Sequence, residues 1–164
     1  ACTPNDLPGV FPPLKRPKII MPPPALFLGG LLMGYGLDRA LNLPAVHFLG
    51  QQWVILVLAL IGISLVLAAV IQLRRAHTTL MPHRAAKTLL TQGVFALSRN
   101  PIYLGFACLH LAMALAQHST GMLIMWAPVI WVIQQHVIAA EEAFHAQQFG
   151  EQWQAYRQRV RRWL

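Results

Sequence analysis

At 164 residues the chain has room for one domain, and a composition 56% hydrophobic against 11% charged is too apolar for an ordinary soluble fold. The net charge of +8 would suit nucleic acid, but the Lys and Arg bias of cytoplasmic membrane-protein loops accounts for the same residues. Nucleic acid is therefore set aside as a partner, and membrane lipid with anionic headgroups is the expected counter-charge.

Residues 1–24 hold eight of the twelve prolines, including Pro22-Pro23-Pro24, and predict an extended cytoplasmic arm. The start, ACTPNDLPG, has no charged-then-apolar signal pattern and reads as a processed or trimmed end. The domain proper is expected over 25–164. Its first span, 25–43, carries Gly30-xxx-Gly34, a small-residue contact pattern suited to packing within the molecule and also a candidate homodimer face. Asp38 and Arg39 near its far end read as an adjacent ion pair at the interface.

The second span, 53–71, has no charge and has the length and apolarity to cross the hydrocarbon core, for which about 20 apolar residues suffice. The polar loop 74–100 follows, rich in binding-type side chains such as His77, His83, Arg84 and Lys87. Two more apolar stretches, 102–117 and 122–138, are joined by His118-Ser119-Thr120-Gly121 and predict a tight antiparallel helical hairpin. Over 141–164, Phe149, Trp153, Tyr156, Val160 and Trp163 recur at four- and three-residue steps and predict an amphipathic interfacial helix.

The expected fold is thus all-α, a polytopic membrane helical bundle of about four transmembrane helices plus the C-terminal amphipathic helix. With that count the basic residues before 25, within 74–100 and after 141 share one side, leaving only Arg39 opposite. Both termini and the loop are then cytoplasmic, in an integral protein of a bacterial inner membrane. Cys2 and Cys108 form no disulfide framework or paired-cysteine metal motif, and Cys108 reads as a packing residue.

The hairpin brings Arg99, at the start of the third span, to the depth of Glu141-Glu142, at the end of the fourth. That juxtaposition is either a salt bridge closing the hairpin or a polar binding site at the interface. Glu142-x-x-His145 has the spacing of a di-iron ligand pair, but the remaining acids, Asp6, Asp38, Glu141 and Glu151, cannot complete such a site, so no metal is expected.

Gly93-Val94-Phe95, Ser98-Arg99-Asn100-Pro101-Ile102-Tyr103-Leu104-Gly105, Glu141-Glu142, Phe149-Gly150 and Tyr156 follow one another in an order and spacing that resembles the integral-membrane methyltransferases related to isoprenylcysteine carboxyl methyltransferase. Phospholipid N-methyltransferases and small-thiol S-methyltransferases are similar over the same stretch, Thr88 to Leu164. The resemblance implies S-adenosyl-L-methionine as cofactor and a lipophilic small-molecule or lipidated acceptor. It places the cofactor on Lys87, Thr88, Leu89, Leu90, Phe95, Asn100, Pro101, Ile102, Tyr103 and Glu141. Leu90, Phe95 and Tyr103 would wall the adenine, the glutamates would accept from ammonium and ribose, and Arg99, Lys87 or backbone N–H groups would hold the carboxylate. Gly105 would let the cofactor lie close against the helix.

Methyl transfer is governed by alignment and exclusion of water. Arg99 and Glu142 are the candidate catalytic residues. An ammonium acceptor must lose a proton, for which Glu142, His83 and His136 are candidates, whereas a carboxylate or thiolate needs no base. Enzymes of the family acting on prenylated proteins often carry Arg where this chain has Val137, facing the substrate carboxylate. Here His136 and Val137 are the candidate substrate-binding residues. The other readings are a sterol reductase-like oxidoreductase, for which the chain is short, and a non-enzymatic membrane scaffold in which Arg99 and the glutamates merely close the hairpin.

Overall fold

The computed structural model describes residues 22–76 and 88–164; the arm up to residue 21 and the segment 77–87, which includes His77, His83, Arg84 and Lys87, lie outside the described residues. Every described element is a helix. Helix α1 runs Pro23–Leu41, α2 Gln51–Arg75, α3 the single turn Val94–Leu97, and α4 Pro101–Ala116. Helix α5, Thr120–Val132, continues through a π-helical turn, Ile133–Ile138, into α6, Ala139–Phe149, and α7, Glu151–Arg159, follows.

Local chemistry sets the boundaries. Proline opens both α1 and α4, where its missing N–H costs nothing, and Asn42 in the left-handed region ends α1. The Ser119 hydroxyl caps α5 by accepting from the Met122 N–H at 3.0 Å. Among the described residues, two helices are long and apolar enough to cross a membrane: α2, 25 residues at mean hydropathy 3.2, and the continuous Thr120–Phe149, 30 residues at 1.6. Helix α4 is apolar but only 16 residues long. Around α2, Trp53, Val57, Leu60 and Leu67 are more than half exposed, so this helix is apolar on faces that no protein covers, as a lipid-facing helix is.

Packing is organised as two pairs, α2 on α4 and α1 on α5, with α4 also meeting α5. Each pair closes on small residues. A Cβ at Gly105 would stand 2.8 Å from the Gly62 carbonyl oxygen, so Gly105 serves close approach to α2 and is not a place for a cofactor. Gly30 faces Val129, and Gly34 lies on the backbone of Gly121 and Met122. The Gly30/Gly34 face is therefore spent inside the molecule and is not available for a homodimer.

The expected Asp38–Arg39 pair does not form. Asp38 turns to the start of α5, accepting from the Gly121 N–H at 2.7 Å and from the Ser119 hydroxyl, where a carboxylate meets the positive end of the helix. Arg39 instead donates to Tyr35 one turn back, at 2.9 Å. The helix expected over 141–164 is also divided. Residues up to Phe149 prolong the long helix, Gly150 breaks it with a backbone at φ 51°, and Val160, in an extended conformation, ends α7.

Gly34→Ala should destabilise the protein by about 1–3 kcal/mol through overpacking against Met122. Gly29→Ala, whose Cβ meets nothing within 4 Å, should instead gain about 0.5–1 kcal/mol from helix propensity. Thermal unfolding in detergent–lipid micelles distinguishes them, and equal shifts would contradict this packing.

Candidate active site

The short α4–α5 connection makes the two helices antiparallel, so the first turn of α4 and the α6 end of the long helix lie at one level. There the Tyr103 hydroxyl donates to Glu141 Oε1 at 2.8 Å. The π-helical turn just before α6 uses i→i+5 spacing, which adds a residue to the turn and rotates the faces that follow; such turns often mark functional sites. Glu141 thereby meets Tyr103 while its neighbour Glu142 meets two arginines.

Glu142 is the hub of the polar network. Arg162 binds it in bidentate fashion, Nη2 to Oε2 at 2.6 Å and Nε to Oε1 at 3.1 Å. Arg99 Nη1 stands 3.0 Å from Oε1, and the side chains of Arg99 and Glu142 are only 9% and 12% exposed. Burial lowers the Arg99 pKa; Glu142 opposes that shift, and Arg162 and Arg157 reinforce it. The hydrogen bond to Glu142 raises that of Arg162. The Arg99 guanidinium also lies over the Trp153 ring, 5.7 Å from its centre. Its Nε and Nη1 are buried without a hydrogen bond among the described residues; Nη1 is held in the ion pair with Glu142, and Nε is left as an unspent donor.

After α7 the chain crosses the first turn of α4. Arg161 O accepts from the Arg99 N–H at 3.0 Å, and Arg162 O accepts from Ser98 Oγ at 3.2 Å and from Asn100 Nδ2 at 3.0 Å. Trp163 Nε1 donates to Gln134 Oε1 in the π turn at 2.9 Å. Helix α7 is held down by Trp153, Tyr156 and Val160, which pack with Leu89 and Phe149. The Tyr156 hydroxyl donates to the Phe95 carbonyl at 2.6 Å, and burial pushes its pKa up to about 12.

Of the residues read from the sequence, Arg99, Asn100, Pro101, Tyr103, Glu141 and Glu142 come together here. Leu89 lies under α7, Phe95 meets Tyr156 through its carbonyl, Thr88 is exposed, and Leu90 and Ile102 are half-buried. Asn100 is turned to the C-terminal tail and does not cap α4. His136 and Val137 are not one site: His136 is exposed, edge-on to Trp131, while Val137 is buried in the core. Lys87 lies outside the described residues. Sequence reasoning missed Arg162, Gln134 and the cation–π role of Trp153. Arg162 follows the last helix, where no periodicity operates, and reads as one more cytoplasmic positive charge.

An all-helical arrangement of the described residues, with uncovered apolar faces and its ion pairs gathered at one end, is that of a membrane-associated helical protein. The sequence model of one family, described as phospholipid methyltransferase, matches residues 50–152, more than half of the chain, and the chain belongs to that family. No curated protein and no solved structure matches it.

Glu142→Ala should cost about 3–5 kcal/mol, because it strands the buried Arg99 charge; a loss under 1 kcal/mol in denaturant unfolding would contradict the hub. Tyr156 supplies a pH test. Its pKa is higher in the folded protein than the ordinary 10.0, so its contribution is complete below pH 10 and is lost as pH rises toward about 12. Protease access to the C-terminal tail should rise over that window in the wild type, and Tyr156→Phe should lack the step attributable to this group.

Proposed function

We propose that the protein is an integral-membrane methyltransferase using S-adenosyl-L-methionine, with α1, α2, α4 and the α5–α6 helix as four spans and the site on the cytoplasmic side. The basic residues gathered at that end support the orientation. When bound, the cofactor supplies an activated methyl group. The chain's own residues suit it: Glu141 has an oxygen left over from Tyr103 to accept from an ammonium or ribose hydroxyl, and the buried Nε of Arg99, without a hydrogen bond among the described residues, suits its carboxylate. Leu89, Leu90 and Phe95 provide apolar surface nearby.

The acceptor we favour is the amine of a phospholipid headgroup, entering laterally from the bilayer. The observation that carries this preference is Val137. It is 2% exposed in an apolar cluster, so the position at which enzymes for prenylcysteine carboxylates carry an arginine offers no cation here, and His136 faces away from it. An amine must lose its proton before attack on the methyl group. Both Glu142 oxygens are engaged by arginines, so Glu142 acts as the anchor of Arg99 and Arg162. The family description is consistent with this acceptor.

Calorimetric titration of S-adenosylmethionine and S-adenosylhomocysteine into detergent-purified protein tests the reading. Saturable binding is expected, weakened about 10–100-fold by Glu141→Ala, the range for a hydrogen bond to a charged group. Transfer of labelled methyl to phosphatidylethanolamine should follow. Absence of binding by folded wild type would sink the enzyme and favour a scaffold.

A further inference from the structure

Residues 161–164 belong to no helix, yet they lie across the polar end of the molecule. Beneath them Ser98 has no exposed surface, Asn100 is 8% exposed, and the side chains of Arg99 and Glu142 are nearly as well covered. Arg99 Nε is buried as well. A charged ligand therefore reaches these groups only when something that covers them moves.

Helix α7 is firmly seated. Trp153, Tyr156 and Val160 are buried in one cluster, and the Tyr156 hydroxyl is tied to the Phe95 carbonyl. Residues 161–164 have no such footing. No helical ladder holds them, and their fastenings are separate: the Arg161 and Arg162 carbonyls on residues 98–100, the Arg162 guanidinium on Glu142, and Trp163. Segments held in this way open locally, well short of global unfolding. Val160 is buried and extended at the end of α7, which makes it the point about which the segment swings. Trp163, farthest of these from that point, crosses to another element. Its indole N–H donates to Gln134 Oε1 in the π turn at 2.9 Å, and its ring packs against the cluster that holds Val137 and Ile138.

We infer that residues 161–164 form a lid hinged at Val160 and latched by Trp163 on Gln134, and that charged ligands enter the polar site only while this lid is raised. Helix α7 stays in place, and the lid closes again over what has entered. This rests on the methyltransferase reading for the identity of the ligand and deepens it by naming how entry to the site is regulated.

The test is thiol labelling of the purified full chain in nanodiscs by a charged methanethiosulfonate, with Cys2 and Cys108 replaced by alanine and a single cysteine introduced. Ser98→Cys lies beneath the lid and Val160→Cys at the hinge. Although both sites are buried, the S98C thiol should react about tenfold or more faster than the V160C thiol, since only the first is uncovered by local opening. Trp163→Phe keeps a ring but loses the N–H. It should speed S98C labelling about 3–10-fold, the effect of one hydrogen bond, and leave V160C unchanged. Gln134→Leu should do the same, and the double variant no more than either alone, because both remove one bond. Equal labelling of the two thiols, or their acceleration in step, would overturn the inference. If a cysteine or latch variant fails to fold, hydrogen exchange of the unmodified chain decides. The Arg99 amide, bonded to Arg161 O on the lid, should be less protected than the Val160 amide, bonded to Tyr156 O on α7, and the reverse order would overturn the lid. Binding kinetics of S-adenosylhomocysteine add a second readout: Trp163→Phe should raise association and dissociation rates by the same factor, whereas faster dissociation alone would mark a merely structural residue and contradict the lid. Absence of binding by the wild type would count against the enzyme reading, while the lid is judged by labelling and exchange.

Discussion

The carboxylate of Glu142, shared by Arg99 and Arg162, is the interaction on which the polar end of the molecule depends. Its three members come from three places: the approach to α4, the end of the long helix, and the residues after α7. Burial of each charge is unfavourable alone, and the cluster persists because every member has an opposite partner. One consequence is geometric. Holding Glu142 between the arginines sets the α6 face that presents Glu141 to Tyr103, and pulling Arg162 inward lays the tail carbonyls on Ser98 and Asn100.

The opposite end is fastened by different chemistry. Asp38 on α1 meets the N-terminus of α5, and the buried Gln51 at the start of α2 donates to the Leu115 carbonyl at the end of α4 at 2.7 Å. Polar contacts thus tie the helices at both ends, while glycines allow the middle to close on hydrocarbon and backbone alone. The uncovered outer surface of α2 needs nothing from the protein, because lipid is its solvent. His110 on α4 departs from this plan, since its buried Nδ1 has no hydrogen-bond partner among the described residues.

Much of this architecture follows from residue patterns. The apolar stretches place α1, α2, α4 and α5 to within a few residues, and the Pro101 start and the short connection before Thr120 bring Arg99 opposite the glutamates. The site pairings were readable only in part. Adjacent acids at 141 and 142 look alike in sequence, and their separate partners depend on a π turn whose backbone shift has no side-chain signature. The apolar stripe from Phe149 to Trp163 continues past Gly150 as if the helix did, yet a glycine with positive φ and an extended end fold it back. Asp38 beside Arg39 suggested a local pair, but a helix N-terminus distant in sequence competes better for the carboxylate.

If the Glu142 cluster organises a cofactor site, binding must be felt in all three segments that it joins. Hydrogen exchange of the purified protein, with and without S-adenosylhomocysteine, reads this directly. The account predicts added protection in residues 98–104, 139–145 and 160–164 together, with α2 unchanged. Protection confined to other segments, or none at a saturating ligand concentration, would contradict it.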